Sequence, residues 1–277
     1  MIEQKQNYQL YHGDCLEIMQ QLIEDGVKVD LILTDIPYGT TACKWDTVIP
    51  LEEMWSCIDK LSYDNTPCLL FGTEPFSSYL RMSHIKQYRY DWIWHKNTSG
   101  SFATARKMPM KYHEIISVFY RKLPLYNPQF QEYSDSMKKR FKQGEMTNRS
   151  AQLQNSTNLI HGGLSLEPSP FDFERGKYPE SVQFFKGVPI ANGKRVHPTQ
   201  KPVALLEYLI KTYTNENDVV LDFTMGSGST GVACMNLNRK FIGIELEEKY
   251  YNIAEQRLQE ATQSKQTTLS LWCGGDD

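Results

Sequence analysis

The chain has no CxxC pair and no histidine pair at zinc-finger spacing, so a structural zinc module is not expected. Its six cysteines, Cys15, Cys43, Cys57, Cys68, Cys234 and Cys273, read as reduced thiols in or near the core. Long apolar runs are missing too. Segments such as LILT at 31–34 and VVL at 219–221 fall far short of the roughly 20 residues that span a bilayer. The opening MIEQKQNYQLYHGD lacks the basic and apolar regions of a signal peptide, and the expectation is residence in the cytoplasm with no membrane partner. No internal repeat is visible, and no lysine follows the glycine turn near residue 228, which excludes a P-loop. What is present is ordinary for a folded protein: 277 residues, 40% hydrophobic and 23% charged, which excludes a disordered or fibrous chain.

Net charge is only −3, but it is unevenly spread. Residues 81–201 carry 20 Lys and Arg against 9 Asp and Glu, while the rest of the chain carries 10 against 24. One region is therefore suited to a polyanion and the remainder is not. A solvated basic surface would show the same balance.

Strand and helix signals alternate. YQLYHG reads as a strand, followed by a helix over Asp14–Asp25 that Gly26 ends. VDLILTDIPYG is a buried strand stopped by a Pro/Gly turn, PLEEMWSCIDKL a helix, TPCLLFG a second buried strand and EPFSSYLRMS a helix. YRYDWIWHK suits a half-buried strand with HEIISVFYRK as its antiparallel partner. Residues 123–195, rich in Gln, Asn, Ser, Pro and Lys, read as an irregular insertion. Order resumes with helix PVALLEYLIKTY, strand DVVLDF, a glycine turn, helix STGVACMNLN, strand KFIGIEL and helix YYNIAEQRL, and 261–277 reads as a loosely attached polar tail. The alternation predicts an α/β fold: one mostly parallel sheet, with one antiparallel strand, covered by helices on both faces. Ligands then bind beyond the carboxyl ends of the strands, where the DIPYG, TMGSGSTG and IELE loops can converge.

Three features carry chemistry. In LDFTMGSGSTG, Gly226 and Gly228 lie between a strand and a helix, where glycine permits close backbone approach to a ligand. Glu245 follows at the end of the next strand, where an acid can bind ribose hydroxyls or simply sit solvated at a helix start. In DIPYG, Asp35 and the Ile36 carbonyl form two acceptors that match an exocyclic amino group, Pro37 stiffens the loop, and Tyr38 offers a ring for stacking on a planar base. A bare D-x-P-Y is also a plain strand-terminating turn.

Together, GDC at 13–15, DIPY at 35–38, HPTQKP at 197–202 and DFTMGSGSTG at 222–231 resemble the S-adenosylmethionine-dependent amino-group DNA methyltransferases. The order, catalytic motif before cofactor motif, resembles the circularly permuted β-class, and DIPYGTTACKWD resembles phage- and prophage-type members. The resemblance covers nearly all of the chain outside the insertion and tail.

It implies a Rossmann-like methyltransferase sheet built from residues 1–122 (catalytic part) and 196–260 (cofactor part), with 123–195 as a target-recognition insertion and 261–277 as a tail. It implies S-adenosyl-L-methionine as cofactor, double-stranded DNA as partner, and adenine N6 of a flipped-out base as target, because Asp begins the motif where cytosine-N4 enzymes commonly carry Ser. Asp35 and Ile36 would orient the amino group, with Pro37 fixing the loop, and Tyr38 would stack on the base. Asp14 would bind the adenine amino group of the cofactor, Glu245 the ribose, and the turn of Asp222, Phe223, Thr224, Gly226 and Gly228 the methionine moiety, with Thr199 and Lys201 near its end. Phe223 and Thr224 stand where the family has Pro and Phe, and Ile36 replaces the first proline of DPPY. Asp14 with Glu17 also reads as a helix cap. His113 and His197 read as structural hydrogen-bonding groups. Arg106, Lys107 and Lys111 are the candidates for phosphate contacts. Many relatives of this class are dimers, so a homodimer fits the resemblance. Cytosine-N4 methylation, a non-catalytic DNA-binding protein of the same fold and an NAD-dependent oxidoreductase are the alternatives. The last leaves DIPY and the basic region without a role.

Overall fold

The structure, a computed structural model, describes residues 7–39, 48–99, 105–142, 176–189 and 196–273. Cys43 and most of the predicted insertion lie outside the described residues. The chain forms two compact units, one of residues 1–127 with 181–277 and one of residues 128–180.

In the larger unit the elements run β1 (Tyr8–His12), α1 (Cys15–Glu24), β2 (Leu31–Thr34), α2 (Leu51–Leu61), β3 (Cys68–Gly72), α3 (Phe76–Ser83), β4 (Tyr88–His95) and β5 (His113–Phe119). The smaller unit contains α4 (Asp135–Lys142). The larger unit resumes with β6 (Val182–Phe184), α5 (Val203–Tyr213), β7 (Val219–Asp222), α6 (Ser229–Asn236), β8 (Lys240–Glu245) and α7 (Glu248–Cys273). The eight strands form one sheet in the order β1-β8-β7-β2-β3-β5-β4-β6. Only β5 runs against its neighbours, pairing antiparallel with both β3 and β4. The predicted single antiparallel strand is therefore found.

The apolar runs of the central strands follow from double-sided burial. Leu31 and Leu33 pack with Leu205, Leu209, Ala233 and Leu258 of α5, α6 and α7 on one face. Ile32 between them packs with Met19, Met54, Ile58 and Leu80 of α1, α2 and α3 on the other. Alternate side chains point to opposite faces, so a strand covered on both sides must be apolar throughout. All four residues of β2 are buried.

Two expectations are corrected here. The stretch read as irregular contributes strand β6, which pairs in parallel with β4 at the sheet edge. Its three residues reverse the usual pattern, with Val182 and Phe184 exposed and Gln183 buried, so hydrophobic patterning gave no strand signal. The segment read as a loose tail continues α7 to Cys273, and its sequence has no Pro or Gly before Gly274 to stop a helix. Among the described residues no helix is long and apolar enough to cross a membrane.

Candidate active site

Because β1, β8, β7, β2 and β3 are parallel, their carboxyl ends share one edge of the sheet. The antiparallel β5 brings its first residues, His113 and Glu114, to that same edge. A cavity of about 280 Å³ opens there. It is lined by Asp14, Asp35, Ile36, Pro37, Tyr38, Thr199, Lys201, Asp222, Phe223, Thr224, Gly226 and Glu245, so twelve predicted site residues from five separated segments meet around one space.

At one end of the cavity, β1 and β8 lie side by side with His12 opposite Glu245. The buried Glu245 carboxylate accepts the Gly226 N–H at 2.8 Å on one oxygen and the Glu247 N–H at 2.8 Å on the other. Burial raises its pKa above the ordinary carboxylate value, against the pull of those N–H groups. A carboxylate has about four acceptor positions, so capacity for hydroxyl donors remains. Asp14 caps α1 as its spacing predicts, with Oδ1 accepting the N–H of Leu16 at 2.8 Å and of Glu17 at 3.2 Å. Both bonds fall on a single oxygen of an exposed side chain.

The turn after β7 is held from below. Asp222, fully buried, accepts hydroxyls from Thr34 at 2.7 Å and Thr230 at 2.6 Å and the Thr224 N–H at 3.2 Å. Burial pushes its pKa up to about 6. Its carboxylate is thus occupied in shaping the turn. Thr224, at the place of the family's phenylalanine, donates its hydroxyl to the Asp35 carbonyl at 3.2 Å and so ties the glycine turn to the DIPY loop. Gly226 has a positive φ of 54° and packs beneath the His197 ring. His197 is held edge-on to Tyr250 at 4.1 Å, and its Nδ1 accepts the Thr199 N–H at 3.2 Å. The ring also lines the cavity. Gly228 does not line the cavity. With φ 73° it caps α6, and a Cβ there would lie 2.8 Å from the Ala254 Cβ, so its smallness serves the packing of α6 on α7.

At the other end, both oxygens of Asp35 are engaged. Tyr38 donates its hydroxyl to Oδ1 and Lys201 its ammonium to Oδ2. Lys201 is buried, lies 3.3 Å from Glu114 Oε2 and stands 4.9 Å over the Phe71 ring. Glu114 in turn pairs with Lys96 at 2.8 Å. Burial raises the Asp35 pKa in spite of Lys201. For Lys201, burial alone would lower the pKa, but Asp35 and Glu114 together raise it. For Glu114, burial works upward, and Lys201 and Lys96 bring the pKa below its ordinary value. Sequence reasoning singled out neither Glu114 nor Lys96. Glu114 is the one charged residue in the largely apolar run EIISVF, and that was the available signal.

Arg106 and Lys107 lie on an exposed turn and do not line the cavity. Lys111 is half-buried and bonds to Thr73 Oγ1 just beyond β3.

Comparison with known proteins identifies the family. The family model described as DNA methylase (N6/N4) matches residues 29–256. The type II methyltransferase M1.MboII of Moraxella bovis is 26% identical over 88% of this chain and 94% of its own length. M.HpaI of Haemophilus parainfluenzae is 44% identical over 85 residues, and that match spans only 27% of the relative's length. The crystal structure of the M1.HpyAVI–SAM complex superimposes with a TM-score of 0.61 at 28% identity, covering 91% of this chain and 98% of that one. The cytosine-N4-specific PvuII DNA methyltransferase shares the fold, with a TM-score of 0.59 at 13% identity and 94% coverage of each chain. The family model takes in the DIPY loop, the segment around Lys201, the glycine turn and Glu245, and the chain belongs to the N6/N4 DNA methylase family.

Proposed function

We propose that this protein transfers a methyl group from S-adenosylmethionine to the exocyclic N6 of adenine in double-stranded DNA. The observation that carries the reading is the largely buried Asp35 carboxylate at the end of β2, facing the same cavity as the glycine turn and Glu245. The donor set fits the cofactor. Glu245 would hold its ribose hydroxyls, Asp14 its adenine amino group, and the turn around Gly226 its methionine end. When bound, S-adenosylmethionine supplies an electrophilic methyl group.

An aromatic amine is a poor nucleophile because its lone pair is delocalised into the ring. Asp35 and the Ile36 carbonyl would accept the two amino hydrogens and turn the lone pair toward the methyl, which is positioning plus electrostatic stabilisation. Once methylated, the nitrogen must shed a proton, and Asp35 stands beside it with a proton affinity that burial has increased. The target base must leave the helix at a cost of a few kcal/mol, and Tyr38 would stack on it. Since Tyr38 now donates to Asp35 Oδ1, it must release that oxygen as the amino group arrives. Arg106, Lys107 and Lys111 would contact phosphates and offset part of the flipping cost. Residues 123–195, with the lysines of α4, would read the sequence. The motif order is that of the β-class, and a DNA substrate would put the work in the cytoplasm.

Duplex DNA incubated with the protein and labelled cofactor, then digested to nucleosides, tests the reading. N6-methyladenine is expected. N4-methylcytosine would keep the mechanism and change the base, and label on neither would end the DNA reading.

Two variants probe the site further. Glu245→Ala removes ribose acceptors and strands the Gly226 N–H. About 2 to 3 kcal/mol of binding should go with them, so cofactor Kd measured by calorimetry should rise about 100-fold. Tyr38→Ala should weaken productive DNA binding about tenfold more than Tyr38→Phe, because base stacking is worth about 1–3 kcal/mol and the ring is what stacks. Equal losses in steady-state KM for DNA would shift the role from ring to hydroxyl.

A further inference from the structure

Four charges alternate in a row, Lys96, Glu114, Lys201 and Asp35, and the last two line the cavity. They come from the segment after β4, the start of β5, the segment before α5 and the loop after β2. The register of the antiparallel pair, with Trp94 opposite Glu114, sets Lys96 where its ammonium reaches the Glu114 carboxylate. The Lys96 N–H also bonds the Tyr112 carbonyl at 2.7 Å, so neither partner of that pair is loose. Lys201 is the most enclosed member, its side chain only 9% exposed, which decides that its charge needs partners within the protein.

The chemistry proposed for Asp35 strains this arrangement. Asp35 Oδ1 is already bonded by Tyr38 and Oδ2 by Lys201, so an incoming amino group competes with one of these donors for the carboxylate. To the extent that Asp35 turns from Lys201 to the base, a buried ammonium loses its nearest carboxylate, which by itself is strongly unfavourable. Glu114 Oε2, 3.3 Å from the same ammonium, is placed to prevent that loss.

We propose that Glu114 is a positioning residue for methyl transfer, sharing the Lys201 ammonium with Asp35 and taking over its hydrogen bond when Asp35 engages the target amino group. This rests on the methyltransferase reading above. Glu114 acts through Lys201 and touches no reacting atom. Lys96 holds Glu114 in reach. Among the described residues, the other titratable groups facing this cluster are Tyr38 from the loop after β2, Asp222 from β7 and Lys111 ahead of β5.

The test is methylation of duplex DNA by the full chain and by Glu114→Gln, Lys96→Met and the double variant, each followed against pH. Glu114→Gln should lower kcat by about 10- to 100-fold, the penalty of a misplaced catalytic group, with KM for DNA and cofactor within about twofold of the parent. Its alkaline limb should move to lower pH, because Lys201 has lost one of the two carboxylates that favour its charged form. The double variant restores the net charge of the cluster and should remain as slow as Glu114→Gln. Should the single variant fail to fold, the charge-balanced double variant carries the same comparison. Parental kcat and pH profile in Glu114→Gln would overturn the proposal, as would recovery of rate on adding Lys96→Met, which would reduce Glu114 to a neutraliser of Lys96. A parent protein that methylates no DNA would instead overturn the functional reading and take this inference with it.

Discussion

Asp35→Ala should lower the rate of methyl transfer about 1,000-fold while cofactor Kd stays within about twofold. The asymmetry follows from where Asp35 sits. Its carboxylate belongs to the end of β2 with Tyr38 and Lys201, whereas the groups assigned to the adenosine belong to β1 and β8 at the other end of the cavity. Removing an acceptor aimed at charge that develops only in the transition state costs turnover and spares ground-state binding. The variant also leaves Lys201 with Glu114 as its remaining carboxylate, which keeps the ammonium paired and the fold intact. A rapid-quench measurement of methyl incorporation, alongside calorimetric cofactor binding, separates the two quantities. A fall in cofactor affinity as large as the fall in rate would mean that Asp35 supports the cofactor site instead.

Gly228→Ala should destabilise the fold by about 3 kcal/mol, or roughly 10 °C in Tm, with little direct effect on the cavity. Two costs add. The left-handed backbone at φ 73° penalises any residue with a Cβ, by about 1–2 kcal/mol. The new methyl would also lie 2.8 Å from the Ala254 Cβ and 3.1 Å from its Cα, and the backbone of a helix packed through this buried residue cannot move away cheaply. Gly226→Ala is the control. The nearest atoms to its added Cβ would be those of the His197 ring at 3.7 Å, an ordinary contact, so the backbone term stands nearly alone. Thermal denaturation followed by circular dichroism should therefore rank Gly228→Ala well below Gly226→Ala, although both glycines belong to one motif. Equal melting temperatures would contradict this division of labour.

That contrast shows where the sequence was legible. LILT followed by DIPY, and VVLD followed by the glycine turn, could be read because a doubly covered strand must be apolar and must stop at Pro or Gly. The antiparallel pair over Tyr88–His95 and His113–Phe119 could be read from its aromatic and apolar patterning. Strand β6 could not, because it exposes Val182 and Phe184 and buries Gln183. The meeting of the DIPYG, TMGSGSTG and IELE loops at one cavity was expected from the strand ends, whereas Asp14, Thr199 and Lys201 were placed there only by the resemblance. The fates of individual side chains were not. Asp222 is occupied by Thr34 and Thr230, Gly228 packs under α7, and Lys201 turns to Asp35 and Glu114. Each depends on a partner distant in the chain, and no local pattern encodes it.

Under the function proposed above, Asp35 directs a methyl group onto the exocyclic nitrogen of adenine. The most direct test of that claim is the nucleoside mass spectrum of duplex DNA after a single turnover with cofactor-saturated parent and Asp35→Ala proteins. The account expects N6-methyladenine from the parent and almost none from the variant at equal cofactor occupancy. Equal yields of methylated base from both proteins would contradict it.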